Sequence, residues 1–496
     1  MIHRYRIAFV LGAAFLASLA SAKPDSQVNP WALMAERDLK AIHDIIRDNH
    51  PGPVDPENPH YRDWLEGGLV KATAQAKAAR TYSDYVRALR LYTNGFEDGH
   101  LVIDPLIAPR SENWPGFIIS GGSDGTPRII SAEPDSGVKV GDRIESCDGR
   151  PFDALMKART DPYFWNRAIP HARFNWVSEM FVVDPDDSDK ELKRCRMSSG
   201  EVNLNWRSSP TDELNKKLFS AATAGADSEF SLKQVGGVWF VRLPRFYFNS
   251  DDERKKLEAL IDEMKAKAPE LRKSTLVFDV RGNGGGDSSW GVRVAEALWG
   301  ETWTDRVEQG FDGSQEMRVS PANLRKWADI HQMLMRQNET DVLPYWTEVE
   351  TAMEKARALG KPLAYLPYPG KKPADPSPPN PVTGRVYLLT DSACGSACLN
   401  FADLTLHLPG VVQIGEPTFA DAVYIEVNDL PLPSGLTQLT YGMKVMRHSV
   451  RGNNQWYEPK YRWPGGPMTD ETLAQWVKSL PPADGSGPII GGPGRK

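Results

Sequence analysis

Only four cysteines occur in 496 residues: Cys147, Cys195, Cys394 and Cys398. None belongs to a C-x-x-C pair and no histidine pair stands beside them, so no zinc site is expected, nor any other metal or cofactor. Basic residues show no surplus, with 59 Lys and Arg against 65 Asp and Glu and a formal net charge of -6. A chain so balanced offers no electrostatic footprint for nucleic acid. Beyond residue 22 no apolar run reaches transmembrane length, and no repeat period is present, which excludes a solenoid or propeller.

What is present begins at the N-terminus. "MIHRYRIAFVLGAAFLASLASA" (1–22) carries His3, Arg4 and Arg6, then an apolar stretch, then Ala20-Ser21-Ala22 as a small-residue cleavage site. That is the pattern of a secretory signal peptide, and it places the mature chain, from about Lys23, in the periplasm or outside the cell. Export permits disulfides. Four cysteines allow three pairings; proximity in the chain favours Cys147 with Cys195, leaving Cys394 and Cys398 as a local bridge or as buried thiols.

Residues 30–105 read as a helical subdomain, with apolar i, i+3, i+4 spacing in "ERDLKAIHDIIRDNHPG" and "YSDYVRALRLYTNGF". Residues 113–208 change to short apolar runs separated by Gly and Asp turns, the signature of a β domain. Strands and helices alternate over 228–319 in "GGVWFVRLPRF", "SDDERKKLEALIDEMKAKAPEL", "STLVFDVRGNGGG" and "SSWGVRVAEALWG". The pattern resumes over 384–468, so the two stretches form one α/β core. Between them, 320–383 reads as a helical insertion ending in a proline-rich linker, and 482–496 as a disordered tail.

Within the second stretch, "CGSACLNFAD" (394–403) joins the buried strand VYLLTD to a helical pattern. Ser396 stands at that strand-to-helix turn, where unpaired backbone N–H groups and the helix dipole favour a developing negative charge. A serine there serves either as a nucleophile or as a helix cap.

Three segments decide how that serine is read. "VFDVRGNGGG" (277–286), "TDSACGSACLNFAD" (390–403) and "GVVQIGEPTF" (410–419) resemble, in this order, the D-L-R-x-N-x-G-G, T-A-S-A-S-E-I-F-A-G and G-x-x-T-F-G-K-G segments of the tail-specific, or C-terminal processing, serine peptidases. Tricorn core peptidases and interphotoreceptor retinoid-binding proteins are relatives of that family. "SGVKVGDRIESCDGRPF" (136–152) is similar to an element of the PDZ domain that the family carries in the same place. The resemblance implies an α/β fold with a mixed-sheet core of the tail-specific protease, crotonase-like type. The helical subdomain and a PDZ-like domain over 113–208 would precede that core.

The resemblance also implies roles for particular residues. Phe401-Ala402 fixes the register that puts Ser396 on the nucleophile. Family members with a Ser-Lys dyad place the lysine after T-F-G, and Asp421 in "PTFADAV" occupies that position. A carboxylate cannot act as a positioned amine, so activity requires another base. The tricorn-like branch uses a histidine in a D-x-H element, which matches Asp98-Gly99-His100. An imidazole titrates near neutrality and suits a proton relay to serine. Glu458, in "YEPK", resembles the family's G-x-E-P-D segment and is the first choice for the orienting acid, with Asp98, Glu416 and Asp421 as alternatives. Gly285 and Ala397 would supply oxyanion N–H groups, while Asp279 and Arg281 brace the glycine loop. Gly116 and Phe117 in "WPGFIIS" would cradle a peptide terminus on backbone N–H groups.

The expectation is an exported serine endopeptidase that cleaves peptides or unfolded proteins through an acyl-enzyme on Ser396. A catalytically inactive binding protein on the same scaffold and an esterase-type serine hydrolase are the alternatives.

Overall fold

The structure, a computed structural model, describes residues 29–493 except 108, 122–125, 223–225, 312, 338–342, 368–377, 466–467 and 484. The expected signal peptide and most of the proline-rich linker lie outside the described residues. Three helices come first: α1 (Pro30–Asn49), α2 (Pro59–Ala76) and α3 (Tyr82–Asn94). Thr81 caps α3 by accepting from Asp84 N–H. The chain then turns through Asp98-Gly99-His100 into the strand Val102–Pro105, which pairs antiparallel with Thr437–Met446.

That pairing changes the reading of the helical subdomain. Thr437–Met446 is also paired with Gln315–Arg318 and with Tyr424–Pro431, and Leu363–Leu366 completes a five-stranded sheet. Leu39, Ile42 and Tyr85 of the N-terminal helices share one core with Trp327 and Met353 of the insertion and with Tyr441 and Val445 of the sheet. The first helices are therefore one wall of a larger layer, not a freestanding unit. Burying these aromatic and aliphatic side chains together supplies the driving force, at roughly 25 cal/mol per Å² of apolar surface.

The α/β core contains β1 (Val238–Arg242), α4 (Asp251–Leu271), β2 (Thr275–Asp279), α5 (Ser289–Trp299), β3 (Val386–Thr390), α6 (Ala397–Leu406) and β4 (Val411–Gly415). The four strands run parallel in the order β1-β2-β3-β4; Ser231–Val235 adds an antiparallel edge and Tyr461–Arg462 a short parallel one. The sheet is thus mixed. Side chains alternate between its faces with the period of two that a strand imposes. Trp239, Val241 and Phe278 meet α4, α5 and α6 on one face, and Val238, Phe240 and Val277 meet Leu473 and Val477 on the other. Because both faces are covered, the strands read as continuous apolar runs. Ser250 caps α4.

Residues 111–210 form a β-rich unit with its own core of Phe117, Ile129, Leu155, Phe181 and neighbours. A disulfide joins Cys147 to Cys195 across two paired strands of that unit. A second joins Cys394 to Cys398. One expectation is corrected at the C-terminus: within the tail read as disordered, Ile489–Gly491 pairs antiparallel with Trp456–Glu458. Glycine and proline around it hide the strand, whose partner lies far back in the chain.

Candidate active site

Ser396 sits between the C-terminal end of β3 and the first turn of α6. Its backbone holds φ 52° and ψ −124°, and its side chain makes no cap hydrogen bond to the helix. A positive φ in a residue with a Cβ costs about 1–3 kcal/mol and persists only where the surroundings impose it. Here they do. Asp421 Oδ2 accepts the Ser396 backbone N–H at 2.6 Å, and the Cys394–Cys398 bridge straddles the serine. Gly285 (φ +105°) lies so close that an added Cβ would stand 2.7 Å from Ser396 Cβ and 2.8 Å from Ala397 N.

The glycine loop and the serine turn are tied together by one carboxylate. Asp391 accepts from Gly282 N–H at 2.8 Å and from Ala393 N–H at 3.0 Å. Burial pushes its carboxyl up to about 6, against the pull of these two donors and of Arg281 and Arg242. Asp279 braces the same loop, bound to Arg281 at 2.6 and 2.9 Å. Burial raises its pKa, but the Arg281 and Arg242 charges outweigh this and hold it below the usual range.

His100 arrives from the other layer. Its Nε2 lies 3.4 Å from Ser396 Oγ although the residues are 296 positions apart in sequence. The distance is at the long end of the hydrogen-bond range, as is common for catalytic pairs without substrate. Asp98 Oδ1 accepts the His100 backbone N–H at 2.9 Å, and Asp98 Oδ2 is held by His50 Nε2 at 3.1 Å. His50 Nδ1 accepts from Gly52 N–H, so that ring is the neutral tautomer donating through Nε2. Its burial lowers its pKa in spite of Asp98. Asp98 is therefore the turn that aims His100, and does not bond its imidazole.

The orienting acid is corrected. His100 Nδ1 is buried without a hydrogen-bond partner among the described residues. Glu458 accepts from Trp456 Nε1 at 2.7 Å and pairs with Arg462 at 2.6 Å; local partners occupy it. Glu416 stands beside Asp391, where burial and the Asp391 charge raise its pKa. Asp421 accepts the Ser396 N–H through Oδ2, and among the described residues it shares no hydrogen bond with the imidazole. Ser396 and His100 therefore stand as a pair, with no third group on the imidazole among the described residues.

Two further expectations change. The Gly285 N–H donates to Asn283 Oδ1 at 2.9 Å, so it is not free for an oxyanion. Among the described residues, the N–H of Ala397, which opens α6, has no acceptor, and neither has the N–H of Gly286, which lines the same cavity as Ser396. Sequence reasoning missed Gly286 by one position in a run of three glycines; its signal is φ +134° and a backbone so close to Phe246 that a Cβ would collide. Gly116 and Phe117 do not offer an open cradle. The Phe117 ring lies in the core of its unit, and Ser178 Oγ satisfies both backbone groups of Ile119 on that strand.

The pair opens on a cavity of about 490 Å³. Val292, Phe311, Leu404, Val423, Ile425 and Met446 give it apolar walls. Asp403 and Arg451 pair within it at 2.7 Å, and Tyr457 donates to Asp403 at 2.8 Å. Sequence reasoning also missed this pair, because its members lie 48 positions apart.

A serine on a strand-to-helix turn, a histidine facing it and N–H groups beside it without an acceptor among the described residues are the arrangement that a serine hydrolase uses. Residues 237–456, which span the α/β core, match the model of peptidase family S41. No curated protein matches the sequence. Among solved structures, mature CPAF complexed with lactacystin shares 15% identity at a TM-score of 0.60, covering 90% of this chain and 97% of its own. Mature CPAF alone shares 13% identity at 0.59, covering 93% and 99%. At these identities the likeness is one of fold.

Proposed function

We propose that the protein is an exported serine endopeptidase that hydrolyses peptides or unfolded proteins through an acyl-enzyme on Ser396, with His100 as general base. The observation that carries the reading is His100 Nε2 facing Ser396 Oγ at 3.4 Å. In the first step Oγ attacks the scissile carbonyl while Nε2 takes its proton. The carbonyl oxygen becomes negative beside the N–H groups of Ala397 and Gly286, which need no reorganisation to receive it. The imidazolium then gives its proton to the leaving amine, and a water deprotonated by His100 hydrolyses the ester. The apolar cavity takes a substrate side chain. The sequence over 113–208 resembles a PDZ-like domain, and the β-rich unit there would present the peptide. Export rests on the N-terminal sequence and on the two disulfides. Among the described residues no helix is long and apolar enough to cross a membrane.

Ser396→Ala should abolish hydrolysis of a fluorogenic peptide pool, while Ser392→Ala, whose hydroxyl is bound to Asn175, should stay within a few fold of wild type. Hydrolysis that survives Ser396→Ala would refute the assignment. The unpartnered His100 Nδ1 favours a second reading, a binding protein on the peptidase scaffold; wild-type protein that hydrolyses no peptide would select it.

A further inference from the structure

A second cavity, of about 190 Å³, lies on the other side of the Asp98-Gly99 turn, between α3 and the 111–210 unit. Its walls carry Tyr163, Phe164, Trp176 and Phe419. Most polar groups facing it are satisfied inside the protein. Thr93 Oγ1 donates to Leu89 O, Asn94 Nδ2 to the carbonyls of 161, 162 and 165, and Asn166 Nδ2 to Asn454. Tyr163 OH is joined to Gln75, and Asp98 is held as described above.

Two charged groups are left over. Arg90 and Glu179 both line the cavity, and among the described residues neither has a hydrogen bond or an ion pair. The Arg90 guanidinium lies 4.7 Å from the centroid of the Phe164 ring, and the Glu179 charge stabilises it without an ion pair between the two. Burial lowers the Arg90 pKa and raises that of Glu179; neighbouring Glu112 is pushed up to about 7 by burial and by the Glu179 charge. Both side chains are half-buried, and lining a cavity with two opposite charges that share no hydrogen bond leaves donors and acceptors unused at a cost in partial desolvation. A ligand that carries both complementary charges close together would remove that cost.

We propose that this cavity binds a free α-amino acid with an apolar side chain: the ligand carboxylate on Arg90, its ammonium on Glu179, and its side chain among the rings of Phe164 and Trp176. An α-amino acid bears both charges on adjacent carbons, whereas an internal peptide segment bears neither. Arg90 presents a planar fork suited to a carboxylate. The site is a separate cavity from the one beside Ser396 but backs onto the Asp98-Gly99 turn that carries His100; the proposal does not depend on the peptidase reading.

The test is calorimetric titration of the full chain with L-leucine and L-phenylalanine, each beside its amide, which lacks the carboxylate charge, and its N-acetyl form, which lacks the ammonium. The free amino acid should bind saturably, and each blocked form about tenfold more weakly or worse, the loss of one charged hydrogen-bonded contact. Arg90→Gln should erase the advantage over the amide, and Glu179→Gln the advantage over the N-acetyl form, while Ser396→Ala leaves binding unchanged. The ligand series on wild-type protein decides the matter even where a variant fails to fold. No saturable binding up to about 10 mM, the weak end of small-ligand affinity, would overturn the proposal. So would equal binding of the blocked forms, or binding that survives both cavity substitutions.

Discussion

At the scale of the residue, Ser396 is a side chain whose usefulness depends on a backbone that others hold in place. Its positive φ frees Oγ from the capping role and aims it at His100, and Asp421 fixes that geometry through the Ser396 N–H. Asp421→Ala should therefore lower kcat on the order of 10²-fold, the loss that follows a misplacement of about 1 Å at a reacting atom. Asp421→Asn, which keeps an acceptor oxygen, should retain most of the activity; steady-state kinetics of both variants checks this, and equal losses would show that charge is what matters. Ser396 and His100 were legible because short motifs fix their register in each layer. Glu458 was misjudged because its motif match says nothing of Trp456 and Arg462, which claim its oxygens. The role of Asp421 was illegible because it contacts a backbone group, and backbone contacts leave no mark on residue type.

At the scale of the element, the glycine loop after β2 and the turn after β3 are held in register by Asp391. Its pKa is raised to about 6 in the folded chain, against an ordinary value of about 3.9. Its protonated form is thus the one the fold favours. The stability it contributes is full below the ordinary value and is lost as pH rises through about 6. Asp391→Asn removes that titration. Wild type should lose stability relative to the variant between pH 4 and 7, by up to about 3 kcal/mol, as read from chemical denaturation at each pH. A difference that does not vary with pH would show that the carboxylate is not raised. Buried strands such as β2 and β3 and the amphipathic α4 were legible from period alone. The five-stranded sheet was not: its central strand, Thr437–Met446, gathers partners from residues 102, 315 and 424 onward, and long-range pairing is set by shared burial rather than by local pattern.

At the scale of the molecule, the proposed catalytic pair is assembled from two layers. The α/β core brings the serine, and the layer of N-terminal helices and the five-stranded sheet brings the histidine. The 111–210 unit has a separate core and the Cys147–Cys195 bridge. A disulfide in a unit of this size typically contributes about 2–4 kcal/mol. Replacing both cysteines by serine should make this unit the first cleaved in limited proteolysis, while the α/β core resists; simultaneous loss of both would show that they unfold together. The central claim is that Ser396 is a nucleophile activated by His100, and labelling with a fluorophosphonate probe followed by peptide mapping tests it most directly. The account predicts that the label sits on Ser396 and that His100→Ala slows labelling by a factor on the order of 10³, as loss of a general base does. A label on another residue, or labelling of Ser396 at an undiminished rate without His100, would contradict it.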